Sequence, residues 1–317
     1  MVNELGGPEV FTIVEAESPI AGPGEIVVDI AVSGVNFLDV YHRNGVYAQA
    51  LPFPAGVEGA GVVTAVGAGV TDLVVGQRVG WPTDVQGSFS DSLAVPAHKV
   101  VPLPDDVDDV TAVALLMHGV TSHYLATDTF PIKPGDVALV HAAAGGVGQL
   151  LTQIIKLRGG RVIATASTEH KRALALAAGA DHALPYEGFA DAVRALTKGE
   201  GVHVVYDGVG AATVDGDLAA LRIRGTLVLF GNASGPVPPM DVMRLTHAGS
   251  LYVTRPTVVH YARTAEELRA RCAELFRWLG EGALQVEAPT RYALSDIAAA
   301  FTALESRQTT GKLVLMH

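Results

Sequence analysis

The sequence predicts an α/β protein in which a doubly wound parallel sheet is joined to a smaller β-rich part. An apolar segment at residues 137–140 runs into a glycine cluster and then into a helical pattern. Strand-like and helical segments alternate from there to residue 254. The residues before Val110 instead form short valine-rich segments separated by frequent turns. These three observations predict two parts with different architectures.

The first third of the chain is predicted to be rich in β-structure. Glycines and a turn at residues 21–24 separate its apolar segments. Short strands at such close spacing are typical of a partly closed, barrel-like unit. The predicted strands lie at residues 25–32, 61–66, 77–81 and 89–95.

A helical pattern begins after Val110. We predict helices at residues 112–118 and 121–126, with a break near Gly119. Strands then alternate with helices of similar length, which indicates right-handed β-α-β units and a nucleotide-binding domain from about Thr121 to Arg255. The predicted strands lie at 137–140, 161–166, 182–184, 202–207, 225–230 and 250–254, and the helices between them at 169–178, 189–197 and 213–221.

The C-terminal tail carries an amphipathic helical pattern at residues 266–279. A segment at 292–294 leads to a second predicted helix at 295–305, and residues 313–316 are predicted as a closing strand. Because the tail lacks a credible core of its own, we expect it to return and complete the N-terminal unit.

The composition narrows the class of protein. The 317 residues are 49% hydrophobic and 17% charged, which suffices for a core without disulfides or structural metals. A formal net charge of −11 argues against nonspecific nucleic-acid binding, since that requires a cationic surface. The single cysteine, Cys272, excludes an internal disulfide and a multi-cysteine zinc site and favours a reducing compartment. With no leader pattern and no run of about 18 apolar residues, we expect a cytoplasmic protein.

The glycine cluster has the form Ala143-x-Gly145-x-x-Gly148, directly after a strand and before a helix. Glycines in such a turn let backbone N–H groups approach a pyrophosphate, and the helix dipole favours its negative charge. The first glycine of the usual fingerprint is alanine here. The pattern predicts a dinucleotide site, and the alternative is a tight strand-to-helix turn without a ligand.

The end of the next predicted strand distinguishes the two nicotinamide dinucleotides. An acid at that point would bind the ribose 2′-OH of NADH. The strand instead ends near Ser167, and Lys171 and Arg172 follow within one helical turn. A hydroxyl and cations suit a 2′-phosphate, so we predict NADPH. The alternatives are that both cations belong to a solvated helix face, or that Glu169 at the start of the helix is the acid.

Three further strand ends, at residues 207–210, 230–235 and 253–256, are rich in glycine and polar residues. Ligands of open α/β sheets bind outside the carboxyl ends of the strands, so we expect the cofactor to contact these segments. Each segment taken alone is equally consistent with a plain strand-to-helix loop.

A polar aromatic cluster lies in the N-terminal part. Asn36, Asp39 and Tyr41 lie near one turn, and Tyr47 follows shortly after. We expect the rings to line a slot for a flat substrate, with the hydroxyls and Asn36 orienting nicotinamide or a carbonyl. The alternative is a helix cap at Asn36 together with packed tyrosines.

The histidines are dispersed, and none has the spacing of a zinc site, so we predict no metal. Two of them, His118 and His123, lie near the predicted domain junction. One hypothesis is that either shuttles a proton, and the alternative is a structural role within a helix.

Six stretches together resemble the zinc-free quinone oxidoreductases of the medium-chain dehydrogenase/reductase superfamily, close to zeta-crystallin. The resemblance implies a Rossmann domain at residues 121–255 and a GroES-like catalytic domain formed by residues 1–120 and 256–317. It also implies a homodimer joined through Rossmann edge strands and NADPH-dependent reduction of quinones. The stretches are residues 34–41, 141–148, 205–210, 230–235, 250–256 and 304–307.

The resemblance also implies individual roles. The implied substrate-side and catalytic residues are Asn36, Asp39, Tyr41 and Tyr47. Ser167, Lys171 and Tyr186 are expected around the 2′-phosphate. The implied cofactor-binding residues are Gly145, Gly146, Val147, Gly148, Ser167, Lys171, Tyr186, Gly208, Phe230, Gly231, Asn232, Ala233, Val253, Thr254, Arg255 and Gly311.

The alcohol dehydrogenases of this superfamily bind catalytic zinc through a Cys and a His in the segments that match Asn36 and Val57. Without that Lewis acid a plain ketone or alcohol lacks assistance, whereas a quinone already accepts hydride well and needs mainly positioning. Two alternatives remain open. One is an enoyl or 2-alkenal reductase of the same superfamily, and the other is a non-catalytic NADPH-binding protein of the crystallin or RNA-binding kind, although the acidic charge speaks against RNA.

Overall fold

The computed structural model describes every residue from Met1 to His317 and divides into two units. The first unit contains Met1–Val120, Tyr261–Gly280 and Val286–His317, and the second contains Thr121–His260 and Glu281–Gln285. The strands are β1 (Glu25–Val35), β2 (Gly59–Val66), β3 (Arg78–Trp81), β4 (Ser92–Pro96), β5 (Val101–Pro102), β6 (Val137–Val140), β7 (Arg161–Thr165), β8 (His182–Leu184), β9 (Val202–Asp207), β10 (Leu221–Leu229), β11 (Tyr252–Thr254), β12 (Thr290–Ala293) and β13 (Leu313–Met316).

The helices follow the same chain order. They are α1 (Phe37–Arg43), α2 (Asp109–Tyr124), α3 (Gly146–Leu157), α4 (Glu169–Ala177), α5 (Phe189–Leu196), α6 (Val214–Ala220), α7 (Met243–His247), α8 (Val258–Tyr261), α9 (Ala265–Gly280) and α10 (Ile297–Glu305). No helix combines the length and the apolar character that a membrane span requires.

The first unit is built around a seven-stranded sheet in the order β12-β13-β1-β2-β3-β5, with β4 also paired to β1. The long strand β1 pairs antiparallel with β2, β4 and β13, and two register shifts against β2 bend it. The tail completes this sheet, because Leu313 pairs with Val35 and Met316 pairs with Val32. Phe301 of α10 is fully buried in the same core as Val35.

The predicted break in α2 at Gly119 is wrong, because the helix runs without interruption from Asp109 to Tyr124. It continues as one π-helical turn over Leu125–Thr129. A Cβ on Gly119 would lie 3.0 Å from Leu115 Cδ1 and 3.1 Å from Leu275 Cδ1 of α9. The glycine therefore admits a close helix–helix contact, at a propensity cost of about 1 kcal/mol relative to alanine.

The second unit confirms the predicted doubly wound fold. Its six strands are parallel and lie in the order β11-β10-β9-β6-β7-β8, which places the first strand of the unit, β6, at the centre. Apolar side chains of β6, β9 and β10, such as Leu139, Val205 and Leu227, are fully buried. This strand order brings the chain reversal, and with it the ligand crevice, to the carboxyl ends of β6 and β9.

Candidate functional site

The glycine loop lies between β6 and α3 in the second unit. Ala142 has a left-handed backbone with φ +49°, and its carbonyl accepts a hydrogen bond from Gly145 N at 2.9 Å. Gly145 is the N-cap of α3, and no side chain caps the helix. A Cβ on Gly148 would lie 2.5 Å from Ala142 O, so only glycine permits the helix to approach the loop this closely.

The N-terminus of α3 fits a pyrophosphate. Its first turn contains no acidic residue, and its N–H groups are not capped by a side chain. Such groups together with the helix dipole bind anions. The first turn holds three of the predicted cofactor residues, Gly146, Val147 and Gly148.

The end of β7 fits a 2′-phosphate better than a free ribose hydroxyl. The strand ends at Thr165, and Ser167 is exposed just beyond it. Thr168 then caps α4 by accepting a hydrogen bond from Lys171 N at 3.2 Å. No acid lies at the tip of the strand, and Glu169 belongs to the first turn of α4. Partial burial lowers the pKa of Lys171.

The ends of β9 and β10 form one connected loop cluster. The buried Asp207 accepts hydrogen bonds from Val209 N at 2.6 Å and from Gly210 N at 3.1 Å. A Cβ on Gly231 would lie 2.5 Å from Gly208 O, so the backbones of these two loops are in close contact here. The Ser234 hydroxyl also joins them, because it donates to Val209 O at 2.8 Å. An Arg255 guanidinium N–H donates to Gly231 O at 3.0 Å, which ties the segment after β11 to the same cluster.

The structure thus brings most of the predicted cofactor residues of the second unit to the carboxyl edge of one sheet. Lys171 lies in the first turn of α4, and Val253 and Thr254 are the last two residues of β11. Gly311 differs, because it belongs to the first unit. Its φ is +59°, and a Cβ there would lie 2.7 Å from Glu287 Oε2. The residues that lie at the carboxyl edge are Gly145, Gly146, Val147, Gly148, Ser167, Tyr186, Gly208, Phe230, Gly231, Asn232, Ala233 and Arg255.

The predicted substrate-side residues lie in and beside α1 of the first unit. Asn36 is the N-cap of this helix, and its backbone N–H donates to Asp39 Oδ2 at 3.0 Å. The rings of Tyr41 and Tyr47 meet edge to face with centroids 5.4 Å apart. Both the cap and the packed tyrosines of the alternative interpretation are therefore present, and they coexist with a polar aromatic surface.

The amide of Asn36 is held in one orientation. Its Nδ2 group donates to Gly34 O at 3.2 Å and to Glu58 Oε2 at 3.0 Å, and its Oδ1 accepts from Lys312 Nζ at 2.6 Å. Both amide protons are thereby used within the protein. Asn36 can offer a substrate an acceptor lone pair but no free donor.

Sequence reasoning missed Glu58 and Lys312, which form an ion pair at 2.6 Å with both side chains almost completely buried. Glu58 Oε1 also accepts from Met117 N at 2.8 Å. A Cβ on Gly34 would lie 1.9 Å from Glu58 Oε2, so the glycine makes room for the carboxylate. The available signal was a charged residue inside each of two apolar segments, because such residues are buried only when paired.

Asp39 lies beside this pair. Burial, with a smaller contribution from Glu58, raises the pKa of Asp39 to about 7, while the hydrogen bond from Asn36 N and the charge of Lys312 act in the opposite direction. Its Oδ1 atom is buried without a hydrogen-bond partner. The carboxyl group therefore exchanges a proton near neutral pH.

The two histidines near the predicted junction lie in different units. His118 is in the first unit. Its pKa is lowered well below the ordinary value, mainly by burial and to a smaller extent by the charge of Lys312. His123 is in the second unit, and its Nδ1 lies 3.3 Å from Thr127 Oγ1. No group of three or more His, Cys, Asp or Glu side chains is placed to hold a metal ion.

Two family models match this chain, one in its N-terminal part and one after the glycine loop begins. Residues 22–105 match the family model described as "Alcohol dehydrogenase GroES-like domain", and residues 146–279 match "Zinc-binding dehydrogenase". The chain is 42% identical to a quinone oxidoreductase of Pseudomonas aeruginosa, over 98% of this chain and 97% of that protein. It is 38% identical to a 2-haloacrylate reductase of a Burkholderia species, over 100% and 98%.

Solved structures give the same result. Mycobacterial Rv1454c complexed with NADPH is 47% identical, with a TM-score of 0.97 over 100% of this chain and 98% of that one. The quinone oxidoreductase of Escherichia coli complexed with NADPH is 38% identical, with a TM-score of 0.97 over the same shares. The chain therefore belongs to the medium-chain dehydrogenase/reductase superfamily, among its quinone oxidoreductases.

Proposed function

We propose that this chain is an NADPH-dependent quinone reductase that works by direct hydride transfer without a metal. The observation that carries the proposal is the end of β7, where Ser167 and Lys171 stand in place of an acid beside the uncapped N-terminus of α3. Relatives of nearly equal length are named quinone oxidoreductases, and two similar solved structures are complexed with NADPH.

Each part of the second unit has a proposed task toward the cofactor. When bound, NADPH supplies a hydride from its nicotinamide ring. The N–H groups at Gly145–Gly148 bind the pyrophosphate, and Ser167, Lys171 and Tyr186 bind the 2′-phosphate. The connected loops of Gly208 and Phe230–Ala233, together with Val253, Thr254 and Arg255, hold the nicotinamide half. Gly311, which belongs to the first unit, is proposed as a further cofactor-binding residue.

The first unit is proposed to orient the acceptor. The rings of Tyr41 and Tyr47 offer a flat aromatic surface, and Asn36 offers Oδ1 as an acceptor. Asp39 retains a proton up to a pH of about 7 and releases it above. A quinone needs little further activation, and the positions that match the zinc ligands of alcohol dehydrogenases are Asn36 and Val57.

We also propose a homodimer that forms through the edge strand β11, in a protein of the cytoplasm. Tyr252 and Val253 on this edge are 62% and 38% exposed, and Ile223 of the neighbouring β10 is 73% exposed. An apolar edge strand of this kind is a template for pairing with a second copy. Sedimentation of the wild type and of Tyr252→Lys tests the proposal, since a wild-type monomer would contradict it.

The second candidate function is reduction of conjugated alkenes. The 2-haloacrylate reductase of Burkholderia is 38% identical over the whole chain, and its name describes a conjugated acceptor. Steady-state rates with a panel of quinones and enones separate the two functions, because the proposed function requires kcat/KM to be higher for the quinones.

The main test is oxidation of NADPH in the presence of 1,4-benzoquinone or 9,10-phenanthrenequinone. The proposal fails if the rate does not exceed the rate without protein.

The choice of cofactor has a test of its own. Lys171→Ala is expected to weaken the binding of NADPH much more than the binding of NADH, because it removes the cation at the 2′-phosphate. The control variant is Lys133→Ala, since Lys133 is exposed in the turn before β6. This variant should leave the affinity for both cofactors unchanged.

A further inference from the structure

His141 is a buried polar residue to which the proposed function gives no task. It directly follows β6, so it stands at the carboxyl end of the central strand where the glycine loop begins. Its side chain is completely buried. Both nitrogens of a buried imidazole need hydrogen-bond partners, and the structure supplies one for each.

Side chains of four residues enclose the ring. Its Nδ1 atom lies 2.6 Å from Thr165 Oγ1 at the end of β7, and its Nε2 atom lies 2.6 Å from Asp217 Oδ1 of α6. One face stacks on Tyr186, with centroids 5.8 Å apart and an interplanar angle of 18°. Phe189 of α5 meets the ring edge to face at 4.9 Å. These contacts leave the imidazole a single position.

The hydrogen bonds have a definite direction. Burial lowers the pKa of His141 to about 4 and raises the pKa of Asp217 to about 8. At neutral pH the Asp217 carboxyl therefore donates to Nε2, and Nδ1–H donates to Thr165. The nearby Asp207, whose pKa burial raises to about 6, is the other carboxyl group of this cluster, and it accepts a hydrogen bond from Val209 N of the loop.

Tyr186 extends the cluster to the glycine loop. Its hydroxyl accepts a hydrogen bond from Ala142 N at 3.0 Å. Ala142 has φ +49°, a conformation that costs free energy for a residue with a Cβ and persists only where its surroundings hold it. The Ala142 carbonyl in turn accepts from Gly145 N. One side of Tyr186 thus rests on His141 while its hydroxyl holds the first turn of the loop.

The same contacts place Tyr186 beside the end of β7. Tyr186 follows β8, which is the neighbour of β7 in the sheet, and its hydroxyl reaches the turn after β6 on the other side. Ser167 lies just past the end of β7 between them. In this fold that strand end faces the adenosine ribose.

We propose that His141 is a positioning residue for the adenosine 2′-phosphate. Clamped by Thr165 and Asp217, the imidazole fixes the ring of Tyr186 and, through its hydroxyl, the turn at Ala142. The recognition of a 2′-phosphate beside Ser167 then depends on a residue that does not touch the cofactor. This inference rests on the proposed use of NADPH and extends it to a second layer of residues.

The test compares two adenosine fragments that differ by the 2′-phosphate alone. Binding of 2′,5′-ADP and of 5′-AMP is measured by calorimetry on the full chain, with wild type, His141→Gln and Thr165→Val. Glutamine retains an amide that can reach Asp217 but removes the ring face beneath Tyr186. The control is His203→Gln, because His203 accepts a hydrogen bond from Val137 N at the opposite end of β6.

We expect His141→Gln to weaken the binding of 2′,5′-ADP about tenfold more than the binding of 5′-AMP. A factor of this size corresponds to the loss of one well-formed aromatic pair. Thr165→Val shifts the ratio in the same direction by a smaller factor, and His203→Gln leaves it unchanged. A structural role alone would weaken both fragments equally. The ratio of kcat/KM for NADPH over NADH falls in parallel with the binding ratio.

Unchanged binding ratios in both folded variants would overturn the proposal. If His141→Gln does not fold, Thr165→Val decides the question alone. If the wild type binds both fragments equally, the protein does not recognise the 2′-phosphate, and the proposal is wrong. A wild type that prefers 2′,5′-ADP but reduces no quinone contradicts the proposed function, while the role of His141 is still decided by the variants.

Discussion

Each unit buries a polar pair in contact with one of its proposed functional residues, Asn36 in the first unit and Tyr186 in the second, and the two pairs are stabilised by different means. In the first unit the carboxylate of Glu58 is paired with the ammonium of Lys312 at 2.6 Å, and both are almost completely buried. In the second unit the imidazole of His141 lies 2.6 Å from the carboxyl of Asp217, and both are again buried. Burial shifts the pKa values of this second pair so that neither member is charged at neutral pH.

The comparison shows that burial alone does not decide how a polar cluster responds to perturbation. A pair of full charges is stable only while both partners are present, because a single buried charge is strongly unfavourable. A neutral pair held by a shared proton tolerates an uncharged substitute but responds to pH. The first cluster should therefore be sensitive to mutation and the second to titration.

The largest expected effect follows from removing one charge of the first cluster. Lys312→Met leaves Glu58 buried without its cation, and we expect the free energy of unfolding of the first unit to fall by about 3–5 kcal/mol. Both tryptophans, Trp81 and Trp278, lie in the first unit. Denaturant unfolding followed by tryptophan fluorescence therefore reports this unit.

The double variant Glu58→Gln/Lys312→Met is the matched control, since it removes both charges and keeps similar side-chain volumes. It should recover much of the lost stability. If the double variant is as unstable as Lys312→Met alone, the side chains act through packing and the charge argument fails.

The second prediction concerns the space that the charged pair occupies. Gly34→Ala would place a Cβ 1.9 Å from Glu58 Oε2, and the carboxylate is held in place by Asn36 and Lys312. Overpacking of this kind should cost about 2–3 kcal/mol in the same fluorescence assay. Gly280→Ala, where no atom lies within 4 Å of an added Cβ, should cost nothing measurable. Equal effects at the two glycines would contradict the packing of the ion pair.

The third prediction concerns the pH response of the neutral pair. Asp217 keeps its proton in the folded state up to about pH 8 but loses it at its ordinary value of 3.8 when unfolded, so its contribution to stability declines as pH rises through that range. His141 acts in the opposite sense between pH 4 and 6.5. The two slopes cancel between pH 4 and 6.5, and Asp207, whose pKa is raised to about 6, adds a decline of its own in that range. Above pH 6.5 only Asp217 of these three groups still contributes a decline.

Between pH 6.5 and 8 the folded state holds one proton more than the unfolded state, on Asp217. The free energy of unfolding of the second unit should therefore fall by about 2 kcal/mol over this range. Asp217→Asn supplies a neutral donor to His141 and should abolish this decline, as measured by urea unfolding followed by far-ultraviolet circular dichroism. Asp215→Asn on the same helix is the control, because the Asp215 side chain is 81% exposed. A wild-type decline that persists in Asp217→Asn would show that Asp217 is ionised in the folded protein.

Most of the fold was predictable because it depends on local patterns. Alternating apolar segments and glycine turns predicted the parallel sheet, and the carboxyl ends of its strands predicted which loops lie together at one edge of it. The error at Gly119 arose because the reason for that glycine is Leu275, which belongs to a helix far along the chain. A pattern within one helix contains no information about the helix that packs on it.

The two buried clusters were not predictable for the same reason. Glu58 and Lys312 are 254 positions apart, and His141 and Asp217 are 76 apart. Their residue types signal only that a partner must exist somewhere. Asn36 shows the consequence, since the sequence predicts that it orients nicotinamide or a carbonyl but does not show that both of its N–H groups are used by Gly34 and Glu58.

The smallest expected effect links the charged cluster to chemistry through Asp39. The negative charge of Glu58 raises the pKa of Asp39 and the positive charge of Lys312 lowers it. Glu58→Gln should therefore shift the Asp39 titration, seen in the pH dependence of kcat/KM for quinone reduction, to lower pH by less than about one unit. In the double variant Glu58→Gln/Lys312→Met the lowering charge is also gone, so the titration should return toward its wild-type position. His42 on the same helix and His118, which also faces the charge of Lys312, titrate as well, and Asp39→Asn identifies the limb that belongs to Asp39 by removing it. A shift of the same sign and size in the single and double variants would mean that the pair influences Asp39 through structure and not through charge.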